Sequence, residues 1–106
     1  MNVMTKSPLR IVLHAPTVDA LSRARSNVAN LKTEDPALDV RIVLNAEAVA
    51  AALDNPNGVT DRLTLVCANT LKKIGREAPQ PFTVLPEGAV LGLAQLQADG
   101  WTYIRS

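Results

Sequence analysis

The sequence predicts a small doubly wound α/β domain, a five-stranded parallel sheet with helices on both faces. Apolar runs of strand length alternate with stretches of helical period, beginning and ending on a strand. The first run, Leu9-Arg10-Ile11-Val12-Leu13-His14-Ala15, is apolar on both faces, as a strand inside a parallel sheet must be. A length of 106 residues supports one domain with a modest core. Neither an internal repeat nor a low-complexity tract interrupts it. Residues 1–8 read as a flexible N-terminal segment and residues 9–106 as the single domain.

Each element has a local cause. Pro16 stops the first strand, and Thr17 caps a helix running to about Lys32, with Asp19 in its first turn. Val18, Leu21, Val28 and Leu31 form its apolar stripe, while Arg23, Arg25, Asn27 and Asn30 face water. Leu38 to Leu44 is the second strand. Asn45 is positioned to cap a helix from Ala46 to Leu53, and Asn55-Pro56-Asn57-Gly58 is a turn. The third strand, Leu63-Thr64-Leu65-Val66, ends in Cys67. Asn69 then caps a short helix for which Gly75 supplies the left-handed stop. Phe82 to Leu85 is a brief strand. Pro86-Glu87-Gly88 introduces a helix from Ala89 to about Asp99, with Val90, Leu93 and Leu96 as its apolar face. Gly100 ends it, and Trp101 to Arg105 is the last strand.

Five parallel strands joined by right-handed crossovers commonly take the order 2-1-3-4-5. The switch point would then lie between the ends of the first and third strands, where His14 and Cys67 stand. Each is the only residue of its kind in the chain.

Composition excludes several function classes. A net charge of +1, with one Trp, one Tyr and one Phe, supplies neither a basic patch nor a stacking series for nucleic acid. A single cysteine forms no intrachain disulfide, and no stretch reaches membrane-spanning length. The reading is a cytoplasmic protein. One His and one Cys make no metal site. There is no G-x-G-x-x-G, Walker sequence or nucleophile elbow, so no cofactor is expected.

Cys67 is the candidate reactive group. Helix N-termini favour thiolate over thiol, since free N–H groups present partial positive charge. Asn69, Thr70 and Lys72 are candidate anion-binding residues beside it, with Lys73 next in line. His14 is a candidate base or anion stabiliser. The alternative for Cys67 is packing, because free cysteine often serves as a small buried hydrophobe. Trp101 and Tyr103 share one face of the terminal strand, which suits either packing or a subunit contact.

Three stretches bear a family likeness: Arg10-Ile11-Val12-Leu13-His14; Val66-Cys67-Ala68-Asn69-Thr70-Leu71; and Leu85 to Val90 with Leu96 to Ile104. The chain resembles the DsrE/DsrF-like family, in its branch of short single-domain members with one central cysteine. That resemblance implies a flavodoxin-like or DsrE-like sheet and a homo-oligomer, trimer or hexamer. It also implies that Cys67 carries sulfane sulfur as a persulfide between donor and acceptor proteins. Ala68 departs from the pattern, which has Gly there. The rival reading is a non-catalytic oligomeric subunit or small-ligand binder with an inert cysteine.

Overall fold

The structure, a computed structural model, describes residues 9–106. The expected flexible segment, residues 1–8, lies outside them. Five strands alternate with four helices: β1 (Arg10–Ala15), α1 (Val18–Glu34), β2 (Asp39–Leu44), α2 (Glu47–Asp54), β3 (Thr64–Val66), α3 (Ala68–Ile74), β4 (Thr83–Val84), α4 (Ala89–Ala98) and β5 (Thr102–Arg105). Every strand pair is parallel, so the doubly wound α/β class holds.

The strand order is β4-β3-β2-β1-β5 and not the expected 2-1-3-4-5. Three successive crossovers step the same way from β1, and right-handedness then puts α1, α2 and α3 on one face. The chain crosses back through α4, on the other face, and lays β5 against the free side of β1. Burial accounts for the order. β1 and β2 are mostly buried and need a neighbour on each side, whereas the four residues of β5 are all exposed, as suits an edge. The switch point follows the order. Connections leave the carboxyl ends of β3 and β4 toward opposite faces, so the crevice opens between those two strands.

The core divides accordingly. On the three-helix face, Ile11, Leu13, Val40, Ile42 and Leu44 pack against Leu21, Val28, Val49 and Leu71. On the α4 face, Val12, Val43 and Cys67 meet Leu85, Ala89 and Leu93. Each fully buried leucine or valine contributes about 1.5–3 kcal/mol by leaving water.

Local expectations were partly corrected. Thr17 caps α1 as read, taking the Ala20 N–H at 3.0 Å, and Gly75 ends α3 at φ 68°. Asn45 and Asn69 are not caps. Ala46 and Cys67 hold the N-cap positions of α2 and α3, neither with a side-chain hydrogen bond. Val18 and Val90 point to solvent, Val90 at 78% exposure; Ala20, Ala24, Ala89 and Gly92 do the packing instead. Arg25 does not face water but bonds Asp61 at 3.2 Å. Asp61 lies in an unforeseen 3-10 turn, Asp61–Leu63, and its other oxygen takes the Asn57 N–H at 2.8 Å.

Candidate functional site

Cys67 follows β3 directly. Its N–H continues the ladder to the Leu44 carbonyl at 3.0 Å, while its own carbonyl takes the Leu71 N–H at 3.1 Å and so starts α3. The residue is the last of a strand and the N-cap of a helix at once, with extended φ and ψ of −64° and 119°. Across the crevice, the Leu85 N–H bonds the Val66 carbonyl at 2.9 Å and pins the end of β4 alongside.

That pinning sets the environment of the sulfur. The chain turns through Pro86-Glu87-Gly88 into α4, and the Ala89 N–H donates to Cys67 Sγ at 3.3 Å. The first N–H groups of any helix lack intrahelical acceptors. Gly88, the N-cap of α4, has no side chain to offer one. The cysteine sulfur therefore takes the place of a cap. Gly88 also lies close to Asn69: a Cβ there would fall 2.5 Å from Asn69 Nδ2 and move that exposed side chain aside.

Burial pushes the Cys67 thiol pKa up, at 4% exposure. The nearby Thr70 hydroxyl and the backbone N–H groups of Thr70, Ala89 and Asn69 favour the thiolate and outweigh burial, and the pKa falls below the usual thiol value. Thr70 is held in turn, since its Oγ1 accepts the Ala46 N–H at 3.2 Å. Ala46 adopts φ 51° and ψ −137°, a backbone state that costs a residue with a Cβ about 1–3 kcal/mol. A cavity of about 490 Å³ lies beside this contact, lined by Asn45, Ala46, Thr70 and Lys73 among others.

The remaining expected residues divide. Thr70 belongs to the site through its hydroxyl, and Asn69 through its backbone N–H, its side chain being exposed. Lys72 and Lys73 do not act on the sulfur. The helix they occupy spans only seven residues, so they fall in its last turn and point to solvent. His14 does not meet Cys67, because β2 lies between β1 and β3. Its Nδ1 instead lies 2.7 Å from Tyr103 Oη and its Nε2 2.9 Å from Asn45 Oδ1. A carboxamide oxygen only accepts, so Nε2 carries the proton and Nδ1 accepts from the phenol. Asn45 is thereby diverted from capping α2.

The Ala89 N–H escaped the sequence reading altogether. Its only trace was the Pro-Glu-Gly run, whose glycine leaves a helix start without a side-chain cap. Among the described residues, no group of three or more His, Cys, Asp or Glu side chains is placed to hold a metal, and no helix is long and apolar enough to cross a membrane.

Compared with known proteins, the chain matches no protein-family model and no curated protein.

Proposed function

We propose that this protein is a sulfur-relay carrier in which Cys67 accepts and releases sulfane sulfur. The observation that carries the reading is the Ala89 N–H, otherwise without an acceptor, lying 3.3 Å from Cys67 Sγ at the switch point. Thr70 and the likeness of Val66 to Leu71 to the DsrE/DsrF-like cysteine block support it.

The reaction is redox-neutral. The Cys67 thiolate attacks the terminal sulfur of a donor persulfide R–S–SH. A new S–S bond forms, the donor's S–S bond breaks, and RS⁻ leaves. An acceptor thiolate then attacks the same terminal sulfur and regenerates the Cys67 thiolate. Ala89 N–H and the Thr70 hydroxyl stabilise the anion before and after transfer. In this reading donor and acceptor proteins are partners, the compartment is the cytoplasm, and the chain assembles as a trimer or hexamer.

The test is intact mass after incubation with polysulfide: one or more added sulfur atoms on the wild type and none on Cys67→Ser. A wild type that takes up no sulfur refutes the carrier reading. The low exposure of Cys67 favours a second reading, a non-catalytic oligomeric subunit or small-ligand binder with an inert cysteine. Resistance of the folded protein to thiol alkylation would support that one.

A further inference from the structure

We propose that the free edge of β5 is a two-fold contact between copies of this chain, paired antiparallel about Tyr103 into one continuous ten-stranded sheet. The idea concerns assembly only and does not depend on the chemistry of Cys67.

Among the described residues β5 pairs with β1 alone, so its other edge is open. The Ser106 N–H points at the His14 carbonyl, at 2.9 Å. Backbone groups alternate along a strand, so those of Thr102 and Ile104 also turn toward β1, and those of Tyr103 and Arg105 turn outward. An antiparallel copy related by a two-fold axis must set residues of the same face opposite each other. Centring on Tyr103 satisfies this. Tyr103 then faces Tyr103 of the second copy as a hydrogen-bonded pair, Thr102 faces Ile104, and Trp101 faces Arg105.

Exposure and charge both select a second copy as the occupant. Tyr103 and Ile104 are 37% and 42% exposed on the edge, whose unpaired N–H and C=O groups are a template for a further strand. On the three-helix face a groove of about 490 Å³ runs between α1 and β5, lined by Asn27, Leu31, Glu34 and Ile104. Its acidic end carries Glu34. At the other end Arg23 reaches the Ser106 carbonyl at 3.4 Å. On the α4 face Arg10 bonds the Asp99 main-chain carbonyl at the amino end of the sheet, and Arg105 stands at the carboxyl end. An antiparallel copy therefore brings Arg23 of each chain to the Glu34 end of the other on the three-helix face. Arg10 and Arg41 already flank Trp101, at 5.5 and 5.6 Å. With Asp39 and Asp99 they form a neutral set, which leaves Arg105 of the second copy unopposed there.

A closed trimer has no two-fold axis, so the contact selects an even number of chains, the hexamer where three-fold contacts also form. Sedimentation across a dilution series should show an even-numbered wild-type assembly. Ile104→Lys, checked for fold by circular dichroism, should halve its mass. In a Cys67→Ser background, Thr102→Cys with Ile104→Cys should oxidise to covalent dimers, whereas neither single substitution should. A wild-type monomer or trimer, cross-linking by Ile104→Cys alone, or no cross-linking by the pair would each overturn the proposal. Sulfur uptake is read separately, so the two ideas stand or fall apart.

Discussion

The two faces of the sheet are made by the same strands and serve different ends. Three helices close one face, and Ile42 and Leu44 of β2 are wholly inaccessible there. One uncharged helix covers the other, beside which Cys67, Tyr103 and Trp101 stand with His14 and Arg41. Cys67 and His14 lie where cover is thin, because groups with exchangeable protons need solvent or a partner nearby. The three-helix face supplies the stability that such a face gives up.

The comparison is most severely tested at the Arg25–Asp61 pair, which fastens α1 to the turn before β3. Asp61→Ala leaves a mostly buried guanidinium unpaired and should cost about 3–5 kcal/mol, read from urea unfolding. A loss below 1 kcal/mol would mean the pair is solvated in solution. The next test sets Leu44→Ala against Leu93→Ala, one leucine from each face. Both fall in the range of about 2–5 kcal/mol, with Leu44 near the top and Leu93 near the bottom, because the α4 side has room to collapse. Equal losses would erase the distinction.

On the thinner face, Thr70→Val should raise the Cys67 pKa and slow alkylation near neutral pH, while Thr70→Ser should restore both. A pH series of alkylation rates measures both. The sign of the linked stability follows from the lowered pKa. The unfolded thiol binds the proton more tightly, so Cys67 contributes nothing below its folded pKa. Its contribution grows as pH rises and is complete above the unfolded value near 8.5. The stability difference between wild type and Cys67→Ser should therefore widen with pH; a flat difference would leave the sulfur uncoupled from its donors. The smallest effect is expected from Ala46→Gly, which relieves a positive φ and should stabilise the chain by up to about 1 kcal/mol. Thermal unfolding would show it as a raised midpoint.

Strands and helices were legible because their signals are local. Thr17, Gly75 and the two-faced apolar run of β1 each declare their element within a few residues. Strand order was not, since apolar period carries no sign for the direction in which a crossover steps. The site inherited that error. Cys67 was found through its place after an apolar strand, but His14 was assigned to it only through the wrong order. Its true neighbours are the Ala89 backbone, 22 positions away, and Thr70. A donor made of main chain has no residue type by which to announce itself. Asn45 and Asn69 show the same limit, as both match the preference for an N-cap and neither serves as one.

The place of β5 has a consequence for how the chain is made. Its pairing with β1 joins segments 89 positions apart, as the His14–Tyr103 bond records. Until β5 leaves the ribosome, β1 lacks one neighbour and its outer edge has nothing to bond. The first four strands can dock in sequence as they emerge, each beside its predecessor, and only β5 must find a partner formed at the start. Closing so long a loop costs entropy that local pairs do not. The β1 edge is thus the surface most open to wrong pairing during synthesis, and the arrival of β5 is what ends that exposure.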